Sequence, residues 1–237
     1  MIRAVLIDLS GTLHIENQAI PGAVEALKKL LQTSLTIKFV TNTTKESQNF
    51  LYNRLTALGF PVQKEQIFSS LAAARALIVN KKLKPMLLLS PEALEDFEGL
   101  ACPKNENPNA VVIGLAPNEF HYERLNDAFK CLLNGAELIG IHAGLEYSAQ
   151  CTATIVGKPQ NMFFYSALDN IRPEEAIMIG DDVTDDVEGA MKAGIKGYLV
   201  QTGKYQPGDE HKICTTPDAV VPSFVEAVEK ILLEIKQ

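Results

Sequence analysis

Four places in this 237-residue chain set polar or charged groups directly after an apolar run. Asp8 follows the stretch from Ile2 to Ile7, and Thr41-Asn42 follow Leu35 to Val40. Lys158, in Gly157-Lys158-Pro159, comes after Ala153 to Val156, and Asp181-Asp182 come after Ala176 to Gly180, with Asp185 and Asp186 close behind. The unbroken apolar run before Asp8 reads as a strand buried on both faces, and the other three stretches also read as strands. A carboxylate on the lip of such a strand packs poorly and asks for a charged partner or a ligand. If the strands run parallel, all four groups project from one edge of the sheet, where open α/β folds bind ligands. Two carboxylates about 4 Å apart repel by roughly 4 kcal/mol at an effective dielectric near 20. Asp8, Asp181 and Asp186 gathered together therefore need a cation, and a hard divalent ion such as Mg²⁺ suits oxygen ligands and water. Lys158 and the Thr41-Asn42 donors suit the oxygens of a bound phosphate.

The elements that must hold these groups alternate. After the first strand and its Ser-Gly-Thr turn, where Thr12 is expected to bond the turn, residues 14–20 read as a small hairpin. A helix from Pro21-Gly22 to Leu31 follows, then the strand to Val40. Thr43 and Glu46 form a capping-box pattern for a helix to Leu58, stopped by Gly59. Gln66 to Ser69 is a weak strand, and Ser70 can cap a helix from Leu71 to Lys81. Beyond Lys82 to Pro85 the rhythm restarts, with strands at 86–89, 110–114 and 137–141 and helices after Ser90-Pro91, at 118–133 and at 146–150. A strand at 153–156, a helix from Pro159 to Leu168, the strand before Asp181, a helix to Ala193, strands at 196–201 and 219–221 and a helix at 223–235 complete the chain. This alternation predicts an α/β fold, a doubly wound parallel sheet built from 1–82 and 151–237, with a smaller α/β domain inserted at 83–150.

Composition narrows the function. A net charge of −7 and an isoelectric point near 5.2 argue against nucleic acid or an anionic membrane as partner. No apolar run reaches transmembrane length, and the N-terminal apolar run reads as a strand, not a signal peptide. Cys102, Cys131, Cys151 and Cys214 show no zinc or paired spacing and read as free thiols, which points to the cytoplasm. His14, His121, His142 and His211 are scattered and read as surface or packing residues. The Asn42-Thr43-Thr44 glycosylation pattern abuts a buried strand and is discounted. Gly203-Lys204 lacks the rest of a P-loop pattern and reads as a loop.

Asp8-Leu9-Ser10-Gly11-Thr12-Leu13, Thr41-Asn42, Gly157-Lys158-Pro159 and Gly180-Asp181-Asp182 with Asp186 resemble, in order, the four motifs of the haloacid dehalogenase (HAD) superfamily. The insertion between the second and third resembles the C2 cap of the branch that holds NagD-like and 4-nitrophenylphosphatase-like proteins. The resemblance implies a HAD-like core with a C2-type cap. It implies an Mg²⁺-dependent phosphatase acting on a small phosphorylated molecule through an aspartyl-phosphate on Asp8. Asp8, Leu9, Ser10, Thr41, Asn42 and Lys158 would bind the phosphate. Asp8, the Ser10 carbonyl and Asp181 would hold Mg²⁺, supported by Asp186 or, after it, by Asp182 or Asp185; Asp185 reads best as a solvated helix-start charge. A homodimer through the cap is also implied.

Two departures qualify the activity. Ser10 stands where the family usually has a second Asp, the general acid for the leaving group. A hydroxyl is a poor acid near neutral pH, so catalysis forgoes part of a factor of roughly 10²–10⁴. A sister family of phospholysine phosphohistidine inorganic pyrophosphate phosphatases also carries Ser there. The cap is short at its C-terminal end, where His142-Ala143-Gly144 joins a strand to a helix near Leu145. Both departures leave an alternative, a catalytically weak phosphate- or partner-binding protein. Dehalogenation is disfavoured, since carbon–halogen displacement needs no metal and the acidic cluster does.

Overall fold

The computed structural model describes residues 1–141 and 153–236. The chain forms two compact units, one of Met1–Thr41, Leu51–Phe68 and Lys158–Gln237, the other of Asn42–Phe50 and Ser69–Gly157.

The first unit opens on β1 (Ala4–Ile7), buried along its whole length as its unbroken apolar sequence requires. A short antiparallel hairpin, β2 (His14–Ile15) and β3 (Gln18–Ala19), leads to α1 (Ala23–Leu31) and β4 (Thr36–Thr41). α2 (Gln48–Ala57) and β5 (Ile67–Ser69) follow. In the second unit, α3 (Ser70–Lys81), β6 (Pro85–Leu88), α4 (Pro91–Leu94), β7 (Ala110–Ile113), α5 (Tyr122–Leu133), β8 (Glu137–Gly140) and β9 (Thr154–Ile155) succeed one another. The chain returns through α6 (Asn161–Leu168), β10 (Ala176–Gly180), α7 (Gly189–Lys192), β11 (Lys196–Val200), β12 (Ala219–Val221) and α8 (Phe224–Glu234).

The first sheet has the order β12-β11-β10-β1-β4-β5, parallel from β12 through β4. The chain runs outward from β1 to β4 and β5, then resumes beside β1 at β10 and runs outward the other way. β1 and β10 therefore flank the point where the winding reverses, the place where open α/β sheets bind ligands. Val5 and Ile7 pack with Leu27 and Leu30 of α1 and Phe224 and Ile231 of α8 in one core. The intervening side chains of β1 point to the opposite face, as strand alternation demands.

The second sheet, β6-β7-β8-β9, is parallel throughout and follows chain order without reversal. Its core joins Leu88, Val111, Ala128 and Leu138. Among the described residues no helix is long and apolar enough to cross a membrane.

Several expected boundaries move. α2 begins at Gln48, because Ser47 accepts the Phe50 amide at 3.2 Å, while the Thr43–Glu46 bond (3.1 Å) closes a turn ahead of it. Ser69, not Ser70, caps α3, accepting from Ala72 N; Ser70 donates instead to the Thr43 carbonyl at 2.6 Å. The helix expected from Asn118 starts at Tyr122, after a separate 3₁₀ turn at Pro117–Glu119. The strand expected at 153–156 shortens to β9 and pairs with β8, so it extends the second sheet. The helix expected at 146–150, the junction from His142 to Leu145, and Cys151 lie outside the described residues.

Candidate active site

Asp8 leaves β1 with its amide bonded to the Ile179 carbonyl of β10 at 2.9 Å, so the winding reversal itself fixes its backbone. Its side chain is buried, as are those of Lys158, Asp181 and Asp186. Lys158 Nζ donates to Asp8 Oδ1 and to Asp186 Oδ1, both at 2.5 Å, and to the Val40 carbonyl at 3.5 Å. Asp8, Asp181 and Asp186 each place a carboxylate oxygen within 4.8 Å of the others. All four belong to the first unit, although 150 residues separate Asp8 from Lys158.

Asp181 ends β10 and Asp182 caps the next element, accepting from Thr184 N and Asp185 N. That element begins as a π-helical turn, Val183–Glu188, where a plain helix was expected. The wider turn carries Asp186 inward, where its Oδ2 accepts the Asp182 amide at 3.2 Å and its Oδ1 meets Lys158. Of the three acids left open for metal support, the fold buries Asp186; Asp182 is committed to capping, and Asp185 lies half-buried at the start of the turn. Gly11 closes the Asp8 loop at φ +91°, and a Cβ there would fall 2.0 Å from Asp181 Oδ2, so only glycine lets the two loops meet.

Burial dominates the electrostatics. It pushes Asp186 up to about 7, with Asp8 adding to the rise and Lys158 opposing it. It lifts Asp181 to about 6 against the pull of the Lys204 amide, and raises Asp8 against the pull of Lys158. Burial works against the charge on Lys158, but Asp186 and Asp8 outweigh it and raise the amine above the ordinary lysine value. Asp182 stays below the usual carboxylate range because the Asp185 and Thr184 amides and Lys204 outweigh its burial.

The remaining predicted residues divide. Thr41 is buried at the end of β4. Leu9 buries its side chain in the α1/α8 core, so only its backbone is free to serve a ligand. Ser10 is exposed. Asn42 is half-buried and lies in the second unit. Thr12, expected to bond its turn, has a buried hydroxyl without a hydrogen-bond partner. His14 packs, with Nδ1 2.8 Å from the Glu16 carbonyl, and is no ligand of the cluster. Lys158 follows a strand expected in the core sheet, but that strand, β9, pairs with β8 in the second sheet, so the lysine comes from the peptide linking the two sheets.

Sequence reasoning missed Thr202-Gly203-Lys204. The Thr202 hydroxyl donates to the Gly11 carbonyl at 2.5 Å, and the Lys204 amide donates to Asp181 Oδ2 at 2.6 Å. The signal was present, since these residues follow β11 at the same sheet edge.

A family model described as haloacid dehalogenase-like hydrolase matches residues 5–100, and one described as HAD-hydrolase-like matches residues 155–227. Human haloacid dehalogenase-like hydrolase domain-containing protein 2 is 50% identical over 252 residues, which span 98% of this chain and 96% of that protein. Human phospholysine phosphohistidine inorganic pyrophosphate phosphatase is 33% identical, over 98% of this chain and 94% of its own. The solved structure of 4-nitrophenylphosphatase from Thermotoga maritima superposes with a TM-score of 0.86 at 25% identity, covering 96% of this chain and 97% of that one. NagD from E. coli shares the fold with a TM-score of 0.86, covering 95% of this chain and 98% of its own. The chain thus belongs to the haloacid dehalogenase-like hydrolase family and has the fold of its NagD-like branch.

Proposed function

We propose that this protein is an Mg²⁺-dependent phosphatase that hydrolyses a small phosphorylated molecule through an aspartyl-phosphate on Asp8. The observation that carries the reading is the buried cluster in which Lys158 bridges Asp8 and Asp186 beside Asp181. Three carboxylates against one ammonium leave an excess of buried negative charge, and an all-oxygen donor set of this spacing fits a hard divalent cation. Asp8 and Asp181 would hold the ion with the Ser10 carbonyl, Asp186 supporting. When bound, Mg²⁺ supplies charge stabilisation to the phosphate oxygens.

In the first half-reaction a carboxylate oxygen of Asp8 forms a bond to phosphorus as the bond to the leaving group breaks. Lys158 favours the ionised form of Asp8 and neutralises phosphate charge, and Thr41 and Asn42 orient the remaining oxygens. In the second, water attacks phosphorus, phosphate leaves, and the Asp8 carboxylate is restored. Ser10 gives the leaving group no efficient acid, so groups that depart unprotonated are favoured. This fits the substrates named for the pyrophosphate phosphatase and 4-nitrophenylphosphatase relatives. The inserted unit serves as the cap that selects substrate.

The test is a panel of aryl phosphates, phosphoramidates, pyrophosphate and alkyl phosphates with and without Mg²⁺, run beside Asp8→Asn. Phosphate release that needs Mg²⁺ and vanishes in the variant is expected. Ser10 also favours a second reading, a phosphate-binding protein of weak turnover; wild-type phosphate binding without release from any substrate would select it.

A further inference from the structure

The loop after β11 touches the cluster at three points and has no part in the reading above. Thr202 ties its hydroxyl to the Gly11 carbonyl at 2.5 Å, joining the end of β11 to the loop that carries Asp8. Gly203 sits at φ +60°, and a Cβ there would fall 2.1 Å from Asp181 Oδ2 and 2.4 Å from Gly11 Cα. Lys204 gives its amide to the same Oδ2 at 2.6 Å, and its Nζ lies 3.1 Å from Asp182 Oδ2. The Asp181 carboxyl is therefore enclosed by Gly11 and Gly203, with one oxygen held by a fixed backbone donor.

We infer that Thr202-Gly203-Lys204 is a positioning loop for the cation: it immobilises Asp181 through Oδ2, leaves Oδ1 to the metal, and holds the Asp8 loop at the matching distance. A carboxylate free to rotate must be ordered when the ion binds, and that entropic cost falls on affinity; one already clamped avoids it. Groups that orient a ligand in this way typically change metal affinity by about 10–100-fold when removed. The amide also favours the ionised carboxyl, the form that binds metal. The side chain of Lys204 is 70% exposed, so its backbone carries the effect.

The inference rests on the cation reading, and one experiment separates the two. Mg²⁺ affinity is measured by titration calorimetry, with melting in the presence and absence of Mg²⁺, on the full chain and on Thr202→Val, Thr202→Ser and Gly203→Ala. The wild type is expected to bind and to melt higher with Mg²⁺. Thr202→Val, isosteric but without the hydroxyl, should bind about 10-fold more weakly while its Mg²⁺-free melting stays near wild type. Thr202→Ser should restore affinity to within about twofold, because it restores the bond to Gly11. Gly203→Ala should lose about 100-fold; if it does not fold, the two Thr202 variants decide alone. Unchanged affinity in Thr202→Val, or equal losses in Thr202→Val and Thr202→Ser, overturns the positioning role while the cation reading stands. A wild type that binds no Mg²⁺ overturns both.

Discussion

The two units are built on the same plan, parallel strands alternating with helices, yet they bury different chemistry. The first hides Asp8, Lys158, Asp181 and Asp186 at its carboxyl edge; the buried polar side chains described in the second are the hydroxyls of Thr43, Ser47, Ser69, Ser70 and Ser90. Strand order explains the contrast. The first sheet reverses its winding between β1 and β10, and the loops carrying Asp8 and Asp181 leave the sheet at that point. The second sheet runs β6-β7-β8-β9 in chain order, with no such reversal. Its strands lead into Leu89, Gly114 and Ile141. The buried charges thus stand at the sheet edge where the winding changes direction.

The contrast is attacked most directly at Asp8. Asp8→Asn keeps the size of the side chain but removes the proposed nucleophile, and hydrolysis should fall by about 10⁴-fold or more. Steady-state phosphate release measures it, and activity surviving in that variant would remove the first unit's claim to the chemistry. The next effect is a gain. Ser10→Asp should raise turnover on alkyl phosphates by at most roughly 10²–10⁴-fold and help aryl phosphates far less, since those leave without a proton. Mg²⁺ affinity is measured alongside, because a fourth carboxylate joins the cluster.

A third effect concerns pH without Mg²⁺. Asp181 and Asp186 hold protons more tightly folded than unfolded, at about 6 and about 7 against the ordinary 3.8. The folded state therefore binds more protons between these values, and stability should fall as pH rises from about 4 to 7. Below that window both states are protonated, and above it the loss is complete. Asp181 alone accounts for roughly 3 kcal/mol, at about 1.36 kcal/mol for each unit. Hydrogen exchange should show β1 and β10 loosening across the window while β7 holds, and saturating Mg²⁺ should reverse the trend above pH 7. Equal loosening of both sheets would erase the distinction between the units. The smallest effect lies on α5. Leu133 is 71% exposed, whereas Ile231 on α8 is fully buried. Leu133→Ala should shift stability by no more than about 0.5 kcal/mol, and Ile231→Ala by about 2–5 kcal/mol, in chemical denaturation.

Much of this was legible in the residues. The apolar runs before Asp8 and Asp181 named two of the strands beside the candidate site, because a doubly buried strand leaves a continuous apolar signature. The acids the sequence singled out, Asp8, Asp181 and Asp186, do gather in one buried cluster. Helix starts were less legible. Two serines stood side by side at 69 and 70, and which one capped α3 depended on where the chain turned out of β5.

Sequence alone therefore singled out the candidate groups and set Asp8, Thr41 and Asp181 at strand ends, because burial and charge are properties of residue types. Only the tertiary structure decided which groups meet. Backbone ladders accept any apolar neighbour, so nothing in residues 153–156 distinguished pairing with β8 from joining the first sheet. The choice of Asp186 among its neighbours followed from a π-helical turn that aims one carboxylate at Lys158, a matter of direction that composition does not encode. The clamp on Asp181 likewise unites residues 11, 181 and 203, brought together by strand order across most of the chain.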